Sequence, residues 1–139
     1  MMAEDVASDV IERLGLEPLE GEGGYFRFLG KFGDGAGSIY YLITKDSFSS
    51  LHLLDDDELW FFLEGGEAEQ IIFDGEKKER RILSPSSRVS FVPAGMWQET
   101  KLLSGNYALF STVMSPAYSD EIYHSPDSAV LKAFEDVKI

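Results

Sequence analysis

The stretch LHLLDDDELWFFLEG, from Leu51 to Gly65, decides the fold. It sets His52 six residues ahead of Glu58, and Gly65 seven residues further on. Two apolar runs flank an acidic triplet, which reads as two short strands joined by a solvated turn. A second marker lies downstream in FVPAGMWQ, Phe91 to Gln98, where Pro93, Ala94 and Gly95 interrupt a β-like stretch. Together they predict a small β-barrel whose interior carries a site.

The same alternation extends outward from this segment. Strands are predicted at 25–32, 38–44, 48–54, 59–63, 69–73, 80–83, 88–92 and 107–114, each rich in Phe, Tyr, Ile, Leu or Val. Glycine-bearing turns separate them, and Asp74-Gly75 is the strongest hairpin signal. Short strands at regular intervals predict a sandwich or barrel, an all-β fold. Ahead of them, Val6, Val10, Ile11 and Leu14 fall at helical spacing before Gly15, so an amphipathic helix is expected over about residues 4–16. A barrel over about 24–116 and a C-terminal tail, with a closing helix or arm at 127–134, complete a single domain spanning 1–139.

Composition bounds the function. A chain of 139 residues, 44% hydrophobic and 13% aromatic, is large enough for one compact core. Zero cysteines exclude disulfides, thiolate metal sites and a cysteine nucleophile, and fit a cytoplasmic location. The acidic start MMAEDVASDV does not read as a signal peptide, and no apolar run is long enough to cross a membrane. Twelve Lys and Arg against 25 Asp and Glu give a net charge of −13, which repels phosphate backbones and anionic lipid. The basic cluster Lys77, Lys78, Arg80 and Arg81 is interleaved with Glu76 and Glu79 and reads as a charged edge strand. Neither nucleic acid nor membrane is an expected partner.

Five segments, in order, resemble the cupin superfamily and its cupin_5 (DUF985) subfamily. They are ERLGLEP (12–18), EGGYFR (22–27), HLLDDDELWFFLEG (52–65), VPAGMWQ (92–98) and ALFSTVMSPAY (108–118). The resemblance implies a double-stranded β-helix, or jelly-roll, barrel. In metal-binding cupins the first motif supplies two histidines two apart and a glutamate, and the second motif supplies another histidine. Those positions are His52, Leu54, Glu58 and Gln98 in this chain. Leu54 cannot coordinate a metal and a Gln carbonyl is a poor ligand for a late transition metal, so no tightly held metal and no other cofactor is expected, with a weak site of His52, Glu58, Gln98 and water as the alternative. The subfamily also tends to carry a histidine where Phe61 stands, an acidic residue where Phe28 stands, and His-Pro-Glu-Gly-Gly where this chain reads Glu20-Gly21-Glu22-Gly23-Gly24. Polar groups that relatives could use in catalysis are therefore missing.

Strand alternation sketches the interior. If Glu58 points inward, Trp60 and Phe62 follow, and Gln98 brings Thr100. Trp60, Phe62, Gln98 and Thr100 are the expected ligand pocket, with His52 and Glu58 as the residues able to act on a substrate. His52 reads equally as a buried, hydrogen-bonded core histidine, and His124 reads as structural. Asp55-Asp56-Asp57 fails as a calcium loop because Trp60 occupies the required glycine position. The GEGG stretch precedes a strand, so no helix terminus is there to cradle phosphate. A non-catalytic module binding a small molecule is the favoured function. The alternatives are a metal-independent isomerase or epimerase with His52 as general base, oriented by Glu58, and an interaction module with a filled barrel. A homodimer is implied by the resemblance and by an aromatic content too large for one small barrel to bury.

Overall fold

The structure, a computed structural model, describes residues 3–139. A helix, α1 (Ala3–Leu14), opens the chain. Gly15, at φ 67°, ends it in a left-handed turn in which Leu16 N–H donates to the Ile11 carbonyl over 2.9 Å. Eleven strands follow: β1 (Glu17–Pro18), β2 (Tyr25–Phe32), β3 (Ala36–Ile43), β4 (Ser49–Leu54), β5 (Glu58–Gly65), β6 (Ala68–Phe73), β7 (Lys78–Leu83), β8 (Val89–Val92), β9 (Trp97–Leu102), β10 (Ala108–Met114) and β11 (Tyr123–His124). The chain ends in α2 (Ser128–Asp136), whose first turn is capped by the Asp127 carboxylate accepting from Val130 N–H. Among the described residues no helix is long and apolar enough to cross a membrane.

The strands form two facing antiparallel sheets, ordered β1-β2-β3-β10-β5-β8 and β11-β4-β9-β6-β7. This is the expected jelly roll, with the sheets closing on one another through side chains rather than a continuous ladder of hydrogen bonds. The predicted strands all form. Three were not predicted: the two-residue edge strands β1 and β11, and β9, which runs between β4 and β6 in the middle of the second sheet. The inward residues of β9 are Gln98 and Thr100, so the apolar alternation that announces a strand is absent there. Lys78, Arg80 and Arg81 of the basic cluster lie on β7, an outer strand of that sheet, as charge patterning suggested, and Lys77 lies in the turn before it. Asp74 turns the β6–β7 hairpin by accepting Glu76 and Lys77 N–H on Oδ1, both at 2.8 Å.

The core between the sheets is aromatic at its centre. Trp60 meets Tyr41 edge-on at 5.7 Å and Phe110 at 5.2 Å, and Phe110 meets Phe62 at 6.0 Å. Ile43, Ile72, Leu83 and Val92 fill the remaining space. A second cluster lies on the outer face of the first sheet, where Val10 of α1 covers Leu42 and Leu109. Phe110 is fully buried and touches both large rings, so Phe110→Ala should lower unfolding free energy by about 3–5 kcal/mol. A shift in the urea midpoint with unchanged slope would report it, and a loss under about 1 kcal/mol would mean the core does not hinge on this ring.

Candidate functional site

The polar end of the interior is assembled by strand starts and two loops. Glu58 opens β5 and is 7% exposed. Its Oε1 accepts from Trp60 Nε1 at 3.2 Å and from Gln98 Nε2 at 3.1 Å. Burial pushes the Glu58 carboxyl above the usual carboxylate range, and the charge of Glu22 pushes it further. His52, the neighbouring Thr112 hydroxyl and Gln98 act in the opposite direction. Gln98 Oε1 is the only buried side-chain N or O atom among the described residues without a hydrogen-bond partner.

Glu22 reaches the interior from the glycine-rich loop between β1 and β2. The loop is held from several sides: Ser50 N–H donates to the Glu22 carbonyl at 3.0 Å, and Ser49 Oγ donates to Glu22 Oε2 at 2.9 Å. The Tyr41 hydroxyl donates to the Gly23 carbonyl at 2.6 Å, and Gly24 N–H donates to Ser47 Oγ at 2.9 Å. Gly23 and Gly24 both have positive φ, and a Cβ on either would collide, with the Phe48 carbonyl oxygen or the Tyr41 ring. The glycines that exclude regular structure thus place a carboxylate.

His52 is 1% exposed on β4. Its Nδ1 lies 2.7 Å from the Ser50 carbonyl, which can only accept, so Nδ1 carries a hydrogen. Nε2 lies 3.6 Å from Glu22 Oε1, and the ring stacks on Tyr123 at 5.4 Å. Glu58 therefore does not orient His52; Glu22 holds that position. Tyr123 belongs to a segment that closes the mouth, pinned by Asp55 N–H donating to the Ile122 carbonyl at 3.1 Å. His124, expected to be structural, holds the same segment through Asp55 at 2.9 Å.

These groups border a cavity of about 180 Å³ walled by Phe26, Ile39, Tyr41, Leu54, Trp60 and Met114, with Glu22, Glu58, Thr112, Tyr118 and Asp120 also lining it. An outer chamber of about 200 Å³ shares Leu19, Glu22, Tyr118 and Asp120 with it and adds Glu20 and Tyr123. Of the residues expected from sequence, Trp60 and Glu58 line this space. Gln98 stands behind Glu58, and His52 behind Glu22. Phe62 packs in the core, and Thr100 accepts from Gln70 Nε2 at 3.0 Å. Alternation orients both inward but does not say which part of the interior is hollow. Glu22, Tyr41, Tyr118 and Asp120 were not foreseen. The one available signal was Glu22, which occupies the glutamate position of the His-Pro-Glu-Gly-Gly stretch.

The chain belongs to the Cupin superfamily (DUF985), whose family model matches residues 8–124. It is similar in structure to a hypothetical protein from Leishmania major, at 21% identity and TM-score 0.84, covering 92% of this chain and 91% of that one. A protein from Shewanella oneidensis is similar at 24% identity and TM-score 0.78, covering 91% and 88%. A cupin 2 conserved barrel domain protein from Rhodopseudomonas palustris is similar at 12% identity and TM-score 0.67, covering 89% and 90%. No curated protein matches the chain.

The donor set does not suit the metal that many cupins hold. At the four ligand positions stand His52, turned to Glu22, Leu54, an apolar wall of the cavity, Glu58, and Gln98, whose amide N–H faces Glu58. Among the described residues no three His, Asp or Glu side chains are grouped to hold a metal ion. The chemistry of the site is that of a buried carboxylate instead. Because the Glu58 carboxyl is raised in the folded chain, its protonation stabilises the fold below the usual carboxylate range. That contribution is lost as pH rises through the raised value. The stability of the natural protein relative to Glu58→Gln, read from urea midpoints between about pH 4 and pH 8, should therefore fall with rising pH. A flat or rising difference would show that burial does not penalise this charge.

Proposed function

We propose that this cupin binds a small organic molecule in the cavity over Trp60, without a metal and without catalysing a reaction. The observation that carries the reading is the cavity itself: apolar and aromatic walls with a few convergent polar groups, the composition of a ligand site. Its size limits the ligand. A cavity of about 150 Å³ takes benzene, so about 180 Å³ takes a compound of roughly seven or eight non-hydrogen atoms. The outer chamber leaves room for a short extension towards solvent.

An isomerase or epimerase using His52 as general base is less well supported. A base must come within hydrogen-bond reach of the proton it removes. His52 is not among the cavity-lining residues, and its free nitrogen faces Glu22. A filled interaction module is disfavoured by the hollow.

Trp60 lines the cavity and Trp97 does not. A compound of this size that binds should shift tryptophan emission saturably, an effect lost in Trp60→Phe and kept in Trp97→Phe. If no member of a panel of small aromatic and aliphatic compounds does so, the reading fails.

The homodimer remains part of this proposal. Leu59 and Phe61 of β5 and Val89 and Phe91 of β8 point away from the core on neighbouring strands, and the last two are 57% and 49% exposed. A contiguous apolar sheet face of this kind favours a partner surface. Sedimentation should give a dimer at micromolar concentration and a monomer for Phe91→Glu; a monomeric natural protein would overturn it.

A further inference from the structure

The cavity described above is negatively charged without a protein cation to balance it. Glu22, Glu58 and Asp120 line it, Glu20 joins them at the mouth, and neither chamber includes a Lys or Arg. None of the salt bridges among the described residues supplies Glu58 or Asp120 with a cation, and Glu22 meets only the His52 ring. A buried carboxylate without a counter-charge is costly, and a bound cation removes that cost.

The remaining walls suit the same guest. Phe26, Tyr41, Trp60 and Tyr118 present aromatic surface to the cavity, and aromatic faces attract cations most strongly where water is excluded. Neighbouring groups register the negative field. Burial and then Asp120 push the Tyr118 hydroxyl up to about 12, and burial and then Glu22 raise those of Tyr41 and Tyr123. These phenols stay protonated at neutral pH and add no further charge.

We propose that the cavity takes a small organic cation: a protonated amine whose ammonium group lies against the Glu22 and Glu58 carboxylates and whose apolar body lies among Trp60, Phe26, Ile39 and Met114. The inference rests on the ligand-binding reading above and adds the charge class. A neutral ligand would leave Glu22 without a counter-charge and keep the Glu58 carboxyl raised, an ammonium group favours the ionised form of both, and an anion would be repelled.

Three probes of nearly equal size separate the possibilities: benzylammonium, benzyl alcohol and benzoate, titrated calorimetrically into the natural protein at neutral pH. Benzylammonium should saturate one site per chain and bind at least about tenfold more tightly than benzyl alcohol, with benzoate weakest. The preference should persist in about 0.5 M NaCl, because buried pairs are screened far less than the attraction of a protein with net charge −13. Glu58→Gln and, separately, Glu22→Gln should each reduce the preference, so a folding defect in one variant leaves the other as the test. If benzyl alcohol or benzoate binds as well as benzylammonium, the charge class is wrong while the ligand-binding reading stands. If the preference disappears in salt, it belonged to the protein's overall charge and the proposal fails. If none of the three binds, a ligand of this size is excluded and both readings fall together.

Discussion

The packing of Trp60 is the constraint on which both core and site depend. The ring meets Tyr41 and Phe110 edge-on and joins side chains of β3, β10 and β5 into one aromatic cluster. Its indole N–H cannot be left unpaired when buried, and it finds Glu58 Oε1 two residues earlier on the same strand. That bond turns a carboxylate into the interior at the point where the core gives way to a hollow. Gln98, from the opposite sheet, holds the same oxygen, so the two sheets are tied by a polar bridge beside the aromatic cluster. A satisfied polar network of this kind rigidifies the boundary between packed and open interior.

The hollow is then closed by segments distant in sequence. The glycine-rich loop folds over the start of β4 and delivers Glu22. The segment after β10 crosses the mouth and delivers Tyr118, Asp120 and Tyr123, anchored to the turn between β4 and β5. Asp57 stabilises the facing turn by accepting Ala94 N–H at 2.8 Å. The acidic triplet thus organises the entrance through its two ends, a role that needs no calcium.

The site departs from the metal chemistry of its superfamily in a coherent way. Leu54 and Gln98 replace nitrogen donors, Leu54 becomes cavity wall, and the Gln98 amide holds Glu58. Glu22, Glu58 and Asp120 are the ionisable carboxyl groups that line the cavity, and no Lys or Arg lines it.

What the sequence by itself determined was the jelly roll, the helix ahead of it, most strand positions and the inward face of β5. The helix, the strands and their inward faces follow from short-range periodicity, since alternate strand residues share a face and glycine paired with asparagine or aspartate breaks strands, whereas the jelly roll came from the resemblance to cupins. It also showed, through the cupin register, that Leu54 and Gln98 stand where metal ligands would. β9 escaped because its buried residues are polar, so its pattern carries no apolar alternation. Only the tertiary structure decided which part of the interior is hollow. Phe62 and Thr100 face inward as surely as Trp60, yet one fills the core and the other bonds Gln70, because filling depends on what the opposite sheet brings into register. The same holds for the pairing of His52 with Glu22, 30 residues away, in place of Glu58, six residues away. Strand alternation sets direction, but loop closure sets partners, and no local pattern reports where a distant loop will lie.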